Sequence, residues 1–152
     1  MLEPQINNQY EALIAPEATA ATLVEILSRA PEFPISEGEL SIAFVDDASI
    51  AKIHGDYMED PTPTDVITFP ADAAMESAGE IIVSVDHARS RSAELGEPFS
   101  RELCLYLIHG WLHLAGYDDR NDSDRADMRV AEQLALRLLD QAPETVEFLL
   151  AE

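Results

Sequence analysis

The segment from Leu103 to Leu114 constrains this chain most, because apolar side chains fall on every side of the helix it would form. Leu103, Cys104, Leu107, Trp111 and Leu114 cover one side, while Leu105, Tyr106 and Leu112 lie on the other. A helix apolar all round is a buried one, so the rest of the chain has to be built around it. His109 and His113 sit on the second side. At about 100° per residue they differ by roughly 40° around the axis, so their imidazoles project side by side. Gly116 then supplies a natural helix stop, and Tyr117, Asp118 and Asp119 can fold back over the histidine face.

The resulting pattern, His109 to Asp119, is H-x-x-x-H-x-x-G-x-x-D. It repeats the ligand and glycine spacing of the metzincin zinc proteases with two differences. Gly110 stands where those enzymes carry the glutamate that acts as general base, which argues against peptide hydrolysis. Asp119 replaces a third histidine; carboxylate oxygen binds zinc at about 2.0 to 2.2 Å, and a His2Asp set also suits iron or manganese. Two neutral imidazoles and one carboxylate leave a coordination position open for water or substrate, as catalytic sites do. A helical histidine pair alone would read as two satisfied core residues. The glycine and carboxylate at these offsets favour a metal, with Asp119 preferred by spacing over its neighbour Asp118. Cys104 is the sole cysteine, which excludes an intrachain disulfide and a thiolate cluster, and it points away from the histidines into packing.

The remaining elements follow from periodicity. "INNQY" reads as part of a first strand. A helix begins at Pro16, carries Leu23, Ile26, Leu27 and Ala30 on one face, and stops at Pro31. Leu40, Ile42 and Phe44 alternate as a half-buried strand, and Asp46 or Asp47 caps a helix presenting Ile50, Ile53 and Tyr57. After a proline-marked loop, "VITFP" and "EIIVSV" read as strands, the second apolar enough to be central. "DHARSRSAEL" closes at Gly96, and a last long helix from about Ser123 carries Met128, Ala131, Leu134, Ala135 and Leu138, followed by a short tail. Strands and helices interleave, which predicts a sheet with helices around the buried one, in one domain spanning residues 1–152.

Nine basic residues face thirty acidic ones, a net charge of −21. Such a field repels polyanions at long range and argues against nonspecific nucleic-acid binding, DNA included. The later half holds arginines around the histidine motif, Arg89, Arg91, Arg101, Arg120, Arg125 and Arg129, which are either a local basic edge or simply solvated. One lysine among so many carboxylates also suits a salty cytoplasm. The start of the chain lacks the basic and apolar regions of a signal peptide, and no apolar run reaches 18 residues, so a cytoplasmic protein without a membrane partner is expected.

"HGWLHLAGYDD" resembles the H-G-x-L-H-L-x-G-Y-D-H signature of the YbeY family, bacterial endoribonucleases associated with rRNA maturation. "PTDVITFP", residues 63 to 70, looks like that family's P-T-D-V-L-S-F-P. "SIAFVDDASIAKIHGDY" and "AGEIIVSVDHARSRSAELG" are similar to its strand-and-helix segments, so the likeness covers most of the chain in order and length. It implies an α+β fold: a mixed sheet of about four strands with helices packed around a buried central metal-bearing helix. It further implies one zinc per chain on residues matching His109, His113 and Asp119. The activity implied is single-strand-specific RNA cleavage in rRNA maturation, at the 16S 3′ end, and in ribosome quality control, with ribosomal RNA and the small subunit as partners.

Thr64 and Asp65 are placed by the resemblance beside the substrate groove, although a strand-entry turn would use the same residues. Two departures stand out. The third ligand is Asp119 instead of histidine. The family's N-x-x-Y-R loop reads "HGDYM" here, with His54 at the asparagine and Met58 at the arginine. Methionine cannot neutralise a phosphate, so an electrostatic contribution is missing. Either another cation substitutes or activity is reduced; His54, one turn before Met58, is a candidate stand-in or else a partly exposed helix histidine. No side chain is assigned as the catalytic base, a water on the metal being the expected nucleophile. His87 earns no role. The alternatives to a nuclease are a noncatalytic zinc-stabilised factor associated with the ribosome and, lacking a base at Gly110, a zinc peptidase.

Overall fold

The computed structural model describes residues 2–151. Its first strand, β1 (Leu2–Asn8), exposes Glu3, Gln5 and Asn7 and turns Leu2, Pro4 and Ile6 inward. It starts earlier than "INNQY" suggests and stops at Asn8, whose side-chain oxygen accepts from the Tyr10 amide at 3.0 Å while its amide donates to the Leu13 carbonyl at 3.1 Å. These local bonds turn the chain out of the sheet. A two-residue strand β2 (Leu13–Ile14) leads into α1 (Pro16–Ser28), which has Pro16 at its start and buries Leu23, Val24, Ile26 and Leu27.

Strand β3 (Gly38–Val45) follows, then α2 (Asp47–Met58), capped by Asp46 accepting from the Ser49 amide at 2.8 Å. An irregular loop leads to β4 (Val66–Phe69), a single 3-10 turn to β5 (Ser77–Ser84), and β5 runs into α3 (Val85–Leu95), which ends on left-handed Gly96. The chain continues through α4 (Phe99–Leu114), α5 (Asp122–Gln141) and β6 (Leu149–Leu150).

The main sheet is mixed and four-stranded, in the order β1-β3-β5-β4: the first three strands are parallel and β4 joins the edge antiparallel to β5. β5 is thus interior, in keeping with its apolar run. The strand period of two divides the core. Leu40, Ile42, Phe44, Ile81 and Val83 face the layer holding α1, α3, α4 and α5, while Ala43, Val45, Ile67 and Ile82 face Ile50 and Ile53 of α2. Helix α4 lies in the first layer, against β4 and β5 on one side and α3 and α5 on others. Trp111 is buried to 1% exposure and its indole N–H donates to the Phe33 carbonyl at 3.0 Å, tying α4 to the segment after α1. Truncating a side chain so enclosed costs about 3–5 kcal/mol.

The tail after Pro143 is more ordered than its sequence suggests. β6 pairs antiparallel with β2, and the Phe148 ring packs on Phe44 with centroids 5.6 Å apart. Two-residue strands are too short to show a period, so neither was legible. Among the described residues no helix is long and apolar enough to cross a membrane.

Candidate metal centre

The end of α4 brings the expected residues together through its backbone. Gly116, at φ +103°, and Ala115 end the helix: the Gly116 amide donates to the His113 carbonyl at 3.1 Å and the Tyr117 amide to the Leu112 carbonyl at 2.9 Å. That is the Schellman arrangement, which reverses the chain. Asp119 consequently returns to the histidine face. His109 Nε2 and His113 Nε2 lie 3.0 Å apart, and Asp119 Oδ2 is 3.6 Å from the first and 3.7 Å from the second.

The three donor atoms lie within 4.8 Å of one another, and these three residues could hold a metal ion. The chemistry of the set fits one. At 3.0 Å the two Nε2 atoms have room for no more than one proton between them, so at least one of them presents a lone pair beside the Asp119 carboxylate. Asp118, the alternative third ligand, is committed locally: one oxygen accepts from the Asp119 amide at 2.9 Å and the other pairs with Arg120 Nε at 2.7 Å. The outer side of the trio is open, with the Asp119 side chain 46% exposed and the histidines at 23% and 24%.

Gly110 has a steric reason to be glycine. A Cβ there would lie 2.7 Å from Ile81 Cγ2 and 3.1 Å from Thr68 Cγ2, so α4 approaches β4 and β5 too closely for any larger side chain. The position points into the sheet, and a glutamate base could not be accommodated in this packing.

A residue that the sequence reading missed completes the arrangement. Glu132 of α5 brings Oε2 to 2.6 Å from His109 Nδ1, with its side chain only 14% exposed. The signal was there: a carboxylate set among Met128, Ala131, Ala135 and Leu136 on the buried side of α5. Burial lowers the His109 pKa, but the Glu132 contact, helped by the charges of Asp65 and Asp119, more than offsets it, so the imidazole titrates above the ordinary value. On the same helix, Arg125 donates to the Asp119 carbonyl at 3.2 Å.

Thr64 and Asp65 are half-buried at the entry to β4. Asp65 Oδ1 accepts from the Val66 amide at 2.8 Å and meets Thr64 Oγ1 at 3.3 Å, so the turn reading of these residues holds. Its charge also bears on both His109 and Tyr106, which puts it on the histidine side of α4. His54 is elsewhere occupied, its Nδ1 2.9 Å from the Thr62 carbonyl, stapling the 59–65 loop to α2. Met58 is 48% exposed at the end of that helix. His87 stands edge-on to Tyr106, ring centroids 5.9 Å apart, and Cys104 is buried, as expected. Four of the six arginines around the motif are paired with carboxylates, and Arg89 donates to the Tyr10 hydroxyl at 3.0 Å. Arg91, Arg101, Arg120 and Arg125 pair with Glu94, Asp140, Asp118 and Asp122.

The family described as Endoribonuclease YbeY has a model that matches residues 5–140. Among similar curated proteins, an Endoribonuclease YbeY of Flavobacterium psychrophilum is 38% identical over 103 residues, covering 68% of this chain and 74% of that protein. One of Bacillus thuringiensis is 36% identical over 118 residues, with shares of 68% and 76%. One of Rhodopirellula baltica is 36% identical over 129 residues, 83% of this chain but 62% of that protein, so the chain spans less than two thirds of this longer relative. The solution structure of TM1509 from Thermotoga maritima has the same fold, with a TM-score of 0.64, 24% identity, and coverage of 91% of this chain and 88% of that one.

Proposed function

Because the chain belongs to the YbeY family of endoribonucleases, we propose that it hydrolyses phosphodiester bonds of single-stranded RNA with one zinc ion per chain, residues 1–152 acting as a single hydrolase domain. The observation that carries this reading is the convergence of His109 Nε2, His113 Nε2 and Asp119 Oδ2 at the end of a buried helix. A divalent cation there supplies Lewis acidity to a phosphate oxygen or an attacking water.

The chain's own residues then act by position. His109 and His113 present neutral Nε2 lone pairs from adjacent helical turns, and Asp119 closes the set while leaving its solvent side free for a strand of RNA. Thr64 and Asp65 serve the substrate from the β4 side. A carboxylate repels phosphate, so Asp65 is suited to accept hydrogen bonds from base amines or sugar hydroxyls. With a net charge of −21, long-range attraction of RNA is absent and binding rests on these near contacts. The context that suits this activity is cytoplasmic: maturation of the 16S rRNA 3′ end and ribosome quality control, with the small subunit as partner.

A second reading, a noncatalytic zinc-stabilised factor associated with the ribosome, is favoured by one observation. Met58 leaves no cation at the position where the family pattern has arginine. His54, bonded to Thr62, is the candidate to replace it.

The deciding experiment is metal analysis of protein purified without an affinity metal, beside cleavage of total ribosomal RNA with and without chelator. One zinc per chain with chelator-sensitive cutting supports the nuclease. One zinc with no cutting moves the reading to the noncatalytic factor, and absence of stoichiometric metal overturns both.

A further inference from the structure

The carboxylate of Glu132 is hard to explain as packing. It lies on the side of α5 that buries Met128, Ala131, Ala135 and Leu136, where an apolar side chain would be cheaper to bury than a charge. The hydrogen bond the structure gives it is to His109 Nδ1, at 2.6 Å, across 23 residues of sequence and from a different helix. An imidazole has two nitrogens and, when neutral, one proton. A carboxylate on Nδ1 accepts that proton's hydrogen bond, so the proton stays on Nδ1 and the Nε2 lone pair is left facing His113 Nε2 and Asp119 Oδ2. It also fixes the rotation of the ring, since turning the imidazole over would break the contact.

We propose that Glu132 is the positioning residue of the metal centre, locking His109 in the tautomer and orientation that offer Nε2 to a divalent cation. The inference rests on the metal-binding reading of His109, His113 and Asp119 and adds to it a fourth residue that does not itself ligate. Outer partners of this kind orient a ligand and raise its basicity, and removing one weakens metal affinity by roughly 10- to 100-fold.

The test uses the full chain as Glu132→Ala and Glu132→Gln, with zinc affinity read by competition against a chromophoric chelator and cobalt(II) absorption as a signature of ligand geometry. Folding is checked first by circular dichroism of the metal-free proteins. Glu132→Ala is expected to bind zinc about 10- to 100-fold more weakly and to shift the cobalt bands. Glu132→Gln keeps an oxygen that accepts from Nδ1–H but loses the charge, so it is expected to fall between Glu132→Ala and the unaltered protein. A purely structural role would lower the melting temperature of metal-free protein while leaving affinity and spectrum unchanged. Parental zinc affinity and cobalt spectrum in folded Glu132→Ala overturn the proposal; if that variant does not fold, the same parental values in Glu132→Gln overturn it. Failure of the unaltered protein to bind zinc is a different result, because it removes the metal-centre reading and this inference with it.

Discussion

The end of α4 and the end of α2 both carry residues that the sequence singles out, yet they are held in opposite ways. At the end of α4 the support for His109 comes from far along the chain, from Glu132 of α5, while Gly110 lets the helix sink against β4 and β5. At the end of α2 the polar contacts join near neighbours in sequence, although the Tyr57 ring meets Phe69 of β4 edge-on, centroids 5.2 Å apart. Lys52 pairs with Asp56, Thr62 bonds Asp60, and His54 reaches Thr62, while Tyr57 is 70% exposed. A region clamped by distant elements has its geometry specified and tolerates little change. One held by short local bonds, with Met58 48% exposed, is expected to accept arginine there without disturbing the fold.

His113→Ala is the widest break in that contrast: zinc stoichiometry should drop from one per chain to none, whereas His54→Ala and Asp118→Ala keep it. Asp119→Ala should behave like His113→Ala, and retained metal in either variant would remove that residue from the ligand set. Gly110→Ala comes next. Overpacking against Ile81 and Thr68 should destabilise by about 1–3 kcal/mol in urea unfolding, and an unchanged midpoint would mean that α4 can shift away from the sheet.

Met58→Arg tests the permissive side. Placing a cation at this exposed position should raise RNA cleavage about tenfold, equivalent to ~1.4 kcal/mol of transition-state stabilisation, without altering zinc affinity. No increase would say that the α2 loop does not meet the scissile phosphate.

A smaller effect separates proton from metal at His109. Its folded pKa lies above the ordinary 6.5, so in metal-free protein the His109–Glu132 pair adds stability that is fully present below the unfolded value and lost as pH rises through the folded one. Zinc needs the neutral ring, so its affinity should fall as pH drops, the loss beginning above 6.5. Melting curves across pH with and without zinc should therefore slope in opposite directions. Least affected of all is Cys104, whose thiol is pushed up to about 12 by burial. It should resist alkylation in folded protein, and rapid labelling would reveal an opening of α4 away from the tail.

The histidine pair, the glycine stop and the returning aspartate were legible because they lie within eleven residues governed by one helix and its cap. The alternation in β3, the apolar run of β5 and the caps at Asp46 and Gly96 were legible for the same reason. Glu132 was not: its position among the apolar residues of α5 was visible, but its partner lies on another helix. Gly110 was read as the absence of a base, and its steric requirement emerges only when β4 and β5 are packed against it. The β2–β6 pair was hidden because two residues carry no period.

By itself, the sequence determined what regular backbone geometry propagates over short distances: which side chains share a helix face, where a helix ends, and that His109, His113 and Asp119 can meet. The tertiary structure decided which carboxylate steadies His109 and why position 110 admits no side chain. Those outcomes depend on how whole helices and strands dock, and docking is set by burial summed over many residues that no local spacing records.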